Sequence, residues 1–440
     1  MGGRMYRSAG AIARVTAGIG VAALIIAGPQ SLAASPESSG FSADRLHRLD
    51  TAMQAQIDSG RYAAISVMIA RHGQVIKDGR YGYQDLESRA PLRPDAIFRI
   101  ASMTKPVTGV AMMILFEEGK FQLDDPVSKF IPQFANLMVS TAHGPEPLDH
   151  AITIRELLTS VAGFAGGYPI NSSVPAVDEA YARAHLTSGT LADMIEKLSR
   201  LGLESQPGAK FRYGVQHDIQ GYLVERISGR TFDRFLAERI FQPLGMVDTG
   251  FGVPSANRKR IVPLYTYDAQ GRLTPAADQG GLASAAGETP TFLSGGSGLY
   301  STMADYMRFA KMLARGGELD GARILAPSTV HLMMSDLLPE NVHMAFLQTL
   351  VGVGYGVDLG IILDPGRASF NSGGIGKGTA FWTGSHGTWF WVDPVNDLIV
   401  LGMTQQQGAA AAHVGLPSAA PDIRALSRSL IYQALVDPSR

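Results

Sequence analysis

"FRIASMTKPVTGVAMMILFEEGK", residues 98–120, sets a serine and a lysine three positions apart at the head of an apolar run. Pro106 has no N–H to give and clashes with the carbonyl four residues back, so it is tolerated best in a first helical turn. A helix reaching Phe116 therefore starts near Ser102, and Gly119 suits its end. Residues three apart share a helix face, which brings Lys105 beside Ser102 at the positive end of the helix. A serine hydroxyl is a weak nucleophile until a base takes its proton. A lysine serves as that base only when neutral. Ile100, Met103, Val107 and Val110 supply the desolvation that favours a neutral amine. The same pair also suits a plain N-cap serine followed by an exposed first-turn lysine, so support must come from the rest of the chain.

Outward from this segment, residues 42–58 carry Leu46, Leu49, Met53 and Ile57 at helical spacing. "AAISVMIARHGQVIKDGRYGY" reads as a hairpin: Ile65, Val67 and Ile69 alternate, Arg71-His72-Gly73 turns, and Val75 begins the return. Near the other end, "TWFWVDPVNDLIVLGMTQ" reads as strand, Asp393-Pro394 turn, strand. Residues 422–436 follow as a helix with Ile423, Leu426, Leu430 and Val436 as inner positions. Strands at both ends with helices beside them suggest one antiparallel sheet built from both termini. The middle reads as mostly helical. "GETPTFLSGGSG" (287–298) and "GAAAAHVGLPSAAP" (408–421) read as its least structured loops.

The chain has 440 residues, 45% hydrophobic and 18% charged, enough for a large core. A formal net charge of -1 with no long basic run argues against a nucleic-acid partner. Arg4, Arg7 and Arg14 precede "VTAGIGVAALIIAG", an apolar stretch of signal-peptide length, and Ser31-Leu32-Ala33 supplies small residues around a cleavage point. Residues 1–33 thus read as a secretory signal, with an uncleaved anchor as the alternative. They imply a periplasmic or secreted protein with no stable membrane association after cleavage. There is no cysteine, hence no disulfide and no thiolate chemistry. The ten histidines form no HxH, HExxH or HxxxH pattern, so no metal is expected.

Two further stretches carry chemistry. "QPGAKFRYGVQHDIQGYLVERISG" holds Tyr213 just before an apolar helix. "FWTGSHGTWFWVDP" places Trp382, Thr383, Gly384 and Ser385 at the start of a strand. With these, the chain resembles the serine β-lactamase and penicillin-binding-protein superfamily, and within it the family VIII carboxylesterases, from about Phe41 to the C-terminal helix. "FRIASMTKPVTGVAMMILFEEGKFQLDDPVSKFIPQF", "ERIFQPLGMVDTGF" and "GSGLYSTMADYMRFAKML" carry the resemblance. No serine sits in a GxSxG elbow, which removes the α/β-hydrolase alternative.

The resemblance implies an α+β fold of the β-lactamase/DD-peptidase type. It is a single catalytic domain over 34–440, with its α/β part in 34–100 and 295–440 and a helical part in 101–294. It implies Ser102 as nucleophile, with Lys105 and Tyr213 sharing the role of base and proton shuttle. It also implies an oxyanion hole from the backbone N–H groups of Ser102 and Ser385, with no cofactor. Trp382-Thr383-Gly384 lies where penicillin-active relatives have K-T-G, and Val215 stands for the Asn of Y-x-N. The indole has no charge to hold a carboxylate and offers instead a flat apolar wall. Asp218 fits the pattern of the esterases, either orienting the tyrosine loop or serving as an ordinary helix-start carboxylate. His386 reads as a side chain beside the site, not as a triad member. Ser160 and Ala162 depart from the relatives' "LLTHTSGL" form.

The expectation is a serine hydrolase of small carboxylic esters with short acyl chains. The alternatives on the same fold are a β-lactamase, a D-Ala-D-Ala-type peptidase or an acyltransferase. Of another class is a catalytically silent wall- or ligand-binding protein.

Overall fold

The alternation of Ile65, Val67 and Ile69 forms a strand, β1 (Ala64–Arg71), but Ser66, Met68 and Ala70 between them are buried too. His72 and Gly73 take φ of 50° and 74°, the left-handed pair whose twist suits a two-residue hairpin. The chain returns as β2 (Gln74–Asp85) and a short β3 (Ala90–Pro91). The C-terminal half adds β4 (Val353–Tyr355), β5 (Gly360–Ile362), β6 (Ala380–Gly384), β7 (Thr388–Asp393) and β8 (Leu398–Met403). The order is β4-β5-β6-β7-β8-β1-β2-β3, antiparallel at every junction. The two ends of the chain meet at β8–β1, where Ser66 opposes Met403 and Arg71 opposes Leu398.

This is a computed structural model, and it describes residues 1–3, 35–166, 174–276, 288–346, 349–369, 374–408 and 421–438. Contacts divide the chain into Met1–Ala33 and Ala34–Arg440, and the second unit is the subject below. The signal reading of residues 1–33 falls almost wholly outside the described residues, as does most of the 408–421 loop. Among the described residues, no helix is long and apolar enough to cross a membrane.

Every residue of β1, β7 and β8 is buried, which requires cover on both faces of the sheet. Three helices flank it. α1 (Ala43–Asp58) is capped by Ser42, whose side chain accepts the Arg45 N–H, and it buries Leu46, Leu49, Met53 and Ile57. α4 (Met303–Ala314) packs on β7 and β8, and α5 (Ile423–Tyr432) on α1. The inner face of α5 differs from the sequence expectation. Ile423, Ser427 and Ile431 are buried with Arg424 and Arg428, while Leu426 and Leu430 lie at the rim and Val436, beyond the helix, is exposed. Both arginines are buried with their heads, Arg424 pairing with Asp422 at 3.5 Å and the Arg428 guanidinium 5.5 Å from the centre of the Trp391 ring, so the buried stripe includes charged residues. Arg71 joins both ends of the chain, donating to the carbonyls of Ser39, Asn396, Asp437 and Pro438.

Among the described residues, 101–294 hold helices and loops with two short hairpins, Met138–Thr141 with Gly144–Pro147 and Tyr265–Tyr267 with Leu273–Pro275. At their centre α2 (Thr104–Glu117) is buried from Thr104 to Leu115 and packs on α3 (Gln216–Ser228). Gly119 (φ 68°) follows its end.

Candidate active site

Ser102 sits in a 3-10 turn, Ala101–Met103, that runs straight into α2. Ala101 before it has φ 45°, a region that side chains with a Cβ avoid. Such strain persists only where the surroundings over-determine it. Here Ile100 donates its N–H to Leu299 O, and Thr104 Oγ1 donates to Ala101 O at 2.7 Å. Thr388 Oγ1 donates to Ile100 O at 3.0 Å. Gly384 lets β6 come this close, since a Cβ there would lie 2.5 Å from Ile100 O.

Lys105 is buried, with its Nζ 3.0 Å from Ser102 Oγ. The amine donates to Gly296 O at 2.7 Å and stands 4.5 Å from the centre of the Tyr213 ring. The Tyr213 hydroxyl donates to Ser102 Oγ at 2.9 Å. One hydroxyl is thus within hydrogen-bond reach of an amine and a phenol, the geometry a proton relay needs. Burial pushes the Tyr213 phenol up, and its bond to Ser102 and the nearby Trp382 indole offset this only in part. The phenol therefore keeps its proton at neutral pH.

Tyr213 is fixed from its N-terminal side by Arg212. The guanidinium is buried between Asp178 (2.7 Å) and Glu204 (2.5 Å), and the Arg212 N–H donates to Ser160 O at 2.8 Å. Val215, expected beside the substrate, is buried at the head of α3, where its carbonyl accepts the N–H groups of Asp218 and Ile219. Asp218 does more than start a helix. Its Oδ1 accepts from Ser294 Oγ (2.7 Å) and the Gly296 N–H (3.1 Å), so it holds the loop whose carbonyl receives the Lys105 amine. That loop lies in the segment expected to be unstructured. Thr108 Oγ1 donates to Gly295 O at 2.7 Å, and a Cβ on Gly295 would lie 2.2 Å from His217 O. Gly295 thus serves close approach, not freedom, a distinction that composition does not carry.

Trp382, Thr383 and Gly384 end β6 and do not start it, because pairing runs from Ala380–Val392 to Gly384–Thr388. Ser385 is exposed as the first residue of the following turn. Among the described residues, neither the Ser102 nor the Ser385 N–H is given to a backbone carbonyl. His386 lies in the same turn and its carbonyl accepts from Thr404 Oγ1. Trp382 is 4% exposed and meets Tyr213, Tyr355 and Phe346 at ring separations of 5.9, 5.4 and 6.3 Å. Phe346 and Tyr355 complete an aromatic wall that the sequence reading missed, since neither sits in a motif. Ser160 and Ala162 are buried, and nothing in the structure explains their departure from the relatives. Among the described residues, no cluster of histidine and carboxylate groups is placed to hold a metal.

A model of the Beta-lactamase family matches residues 49–422. Protein Rv1367c of Mycobacterium tuberculosis is 36% identical over 377 residues, 82% of this chain and 92% of that protein. Esterase EstB of Burkholderia gladioli is 28% identical over 403 residues, 84% of this chain and 94% of its own. Among solved structures, EstCE1, described as a hydrolase with promiscuous acyltransferase activity, superposes with a TM-score of 0.73 at 26% identity. That match covers 90% of this chain and 99% of EstCE1. The antiparallel sheet built from both termini, the flanking helices and these relatives agree: the chain is a hydrolase of the beta-lactamase family.

Proposed function

We propose that the chain cleaves small carboxylic esters, with short acyl groups preferred, through an acyl-enzyme on Ser102. The observation that carries this reading is Ser102 Oγ bracketed at 3.0 and 2.9 Å by the buried Lys105 amine and the Tyr213 phenol. The neutral amine takes the Ser102 proton as Oγ attacks the ester carbonyl. Tyr213, kept protonated by burial, gives its proton to the departing alkoxide and regains one from the Lys105 ammonium. The Ser102 and Ser385 N–H groups face the developing oxyanion, where loss of one donor typically costs about 10²–10³ in rate. Water then enters, passes a proton to the same pair, and releases the acid.

Substrate choice follows from Trp382, Phe346 and Tyr355. An aromatic wall receives a neutral group and gives a carboxylate no cation, which favours esters over β-lactams and peptides. Thr383 and Gly384 extend that edge, and Val215 brings no amide. The reading needs no cofactor or metal. It takes 34–440 as one catalytic domain, exported by residues 1–33. Acyl transfer to a second alcohol is the next reading, supported by the likeness to EstCE1. Ser102→Ala is expected to abolish hydrolysis of p-nitrophenyl butyrate while the melting temperature stays put. Unchanged turnover would refute the assignment.

A further inference from the structure

Beyond Tyr213 lies a group of fully buried polar side chains, of which only Tyr355, part of the aromatic wall, enters the reading above. They are His217 and Gln220 of α3, with Tyr355 and Asp358 of the β4–β5 hairpin. His217 Nε2 is 3.1 Å from Asp358 Oδ1 and 3.3 Å from Tyr355 Oη. Gln220 Nε2 donates to the same Asp358 oxygen at 3.1 Å. The other oxygen, Oδ2, meets no donor and lies against α2, where a Cβ on Gly109 would be 3.0 Å away. Asp358 also has φ 56°, a conformation glycine adopts without cost. A strained backbone and a buried carboxylate thus fall on one residue, and a turn alone needs neither. That carboxylate touches all three elements of the site: the helix of Lys105, the helix that follows Tyr213, and the hairpin of the aromatic wall. The His217 ring lies 5.9 Å from the Tyr213 ring.

We propose that Asp358 and His217 form a positioning dyad that sets the Tyr213 phenol against Ser102 and keeps it a proton donor. The proposal rests on the acyl-enzyme reading above. The groups facing Tyr213 are Ser102 and Lys105 from the α2 side, His217 and Asp218 from α3, Tyr355 and Asp358 from the hairpin, and Trp382 from β6. Burial holds the phenol proton on first, and the negative charges of Asp218 and then Asp358 add to it. Removing the Asp358 charge makes the phenol lose its proton at lower pH. The alkaline limb of the reaction then moves to lower pH. A role in packing alone would leave that limb where it is.

The test compares two esters across the pH range in the full chain, ethyl butyrate and p-nitrophenyl butyrate. An ethoxide must be protonated to leave, whereas a nitrophenolate leaves without a proton. In Asp358→Asn and His217→Gln, kcat/KM for ethyl butyrate is expected to fall about tenfold to a hundredfold, and much less for the nitrophenyl ester. In Asp358→Asn the alkaline limb also shifts to lower pH. Asp358→Gly removes the charge while relieving the left-handed backbone, so it answers the question even if the asparagine variant fails to fold. The dyad is overturned if Asp358→Gly matches the parent on ethyl butyrate, or if both esters fall equally with the limb unmoved. Fluorophosphonate labelling that is lost in Ser102→Ala but kept in Asp358→Gly separates this outcome from a failure of the Ser102 assignment.

Discussion

At the centre of the sheet, β8 lies against β1 through consecutive residue pairs from Ser66–Met403 to Arg71–Leu398, each repeating its neighbour's backbone pattern. At the Ser102 site, the loop of residues 294–296 is held by contacts that nothing repeats: Thr108 to Gly295, Lys105 to Gly296, Asp218 to Ser294 and Gly296. Redundant contacts share a loss among many, so damage to the sheet reads out as stability. Unrepeated polar contacts set the place of one amine or one phenol, so damage there reads out as rate. A misplacement of about 1 Å can cost about a hundredfold in rate without unfolding anything.

Two glycine-to-alanine changes set these regions against each other. A Cβ on Gly402 of β8 would lie 2.0 Å from the buried Trp389 ring. Overpacking of this kind costs about 1–3 kcal/mol. Gly402→Ala is expected to melt earlier while each folded molecule keeps its rate. A Cβ on Gly295 would lie 2.2 Å from the His217 carbonyl, which cannot rotate away as a side chain can. The loop must move, and the Gly296 carbonyl with it. Gly295→Ala is expected to lose about a hundredfold in kcat for a small change in melting temperature. The contrast breaks if calorimetry and ester kinetics give the reverse pattern.

The same division explains what the sequence disclosed. Ile65, Val67 and Ile69, the His72-Gly73 turn and the Asp393-Pro394 turn report local propensities, and the sheet obeys them. That Ser102, Lys105 and Tyr213 meet was legible because a helix start brings the first two together and a family pattern points to the third. The roles of Asp218, Gly295 and Gly296 were not legible. Each depends on a partner some 80 to 190 residues away, which no periodicity encodes. The burial of Ser66 and Met68 was hidden for a related reason: a strand covered on both faces need not alternate. Arg424 and Arg428 misled the reading of α5 because a buried guanidinium needs a carboxylate or a ring to meet, here Asp422 and Trp391, and periodicity shows neither.

Alkaline titration tests both regions at once. Burial pushes up the phenols of Tyr306 and Tyr432, beside the sheet, and of Tyr213 and Tyr355 at the Ser102 site. Tyr306 donates to Met103 O at 2.9 Å and Tyr432 to Asp393 Oδ2 at 2.6 Å. A group whose folded pKa is raised holds its proton more tightly folded than unfolded. The stability it contributes is complete below the ordinary phenol value of 10.0 and is lost as pH rises beyond it. Denaturant midpoints are therefore expected to hold flat through neutral pH and to fall above that value. If tyrosine absorbance titrates near 10 with the fold intact, these phenols are not sealed from water. Should activity vanish at clearly lower pH than the fold, the Tyr213 phenol titrates while the sheet is still intact.

The smallest expected effect concerns the wall itself. Trp382 is buried, yet its indole Nε1 meets no acceptor in hydrogen-bonding geometry. Its contribution is then shape, the face turned to Tyr213, Tyr355 and Phe346. Phenylalanine preserves an aromatic face and removes an N–H that lies near the Tyr213 phenol without closing a hydrogen bond, while leaving a modest void. Trp382→Phe is thus expected to cost about 1–2 kcal/mol from the void and to change kcat/KM for p-nitrophenyl butyrate by no more than about threefold. Trp382→Ala, which removes the wall, is expected to raise KM further than it lowers kcat, because a wall that binds ground state and transition state alike acts on KM. A tenfold loss of kcat in Trp382→Phe would mean that the indole N–H acts on the phenol during the reaction. Position 382 would then belong with the unrepeated polar contacts and not with the packed wall.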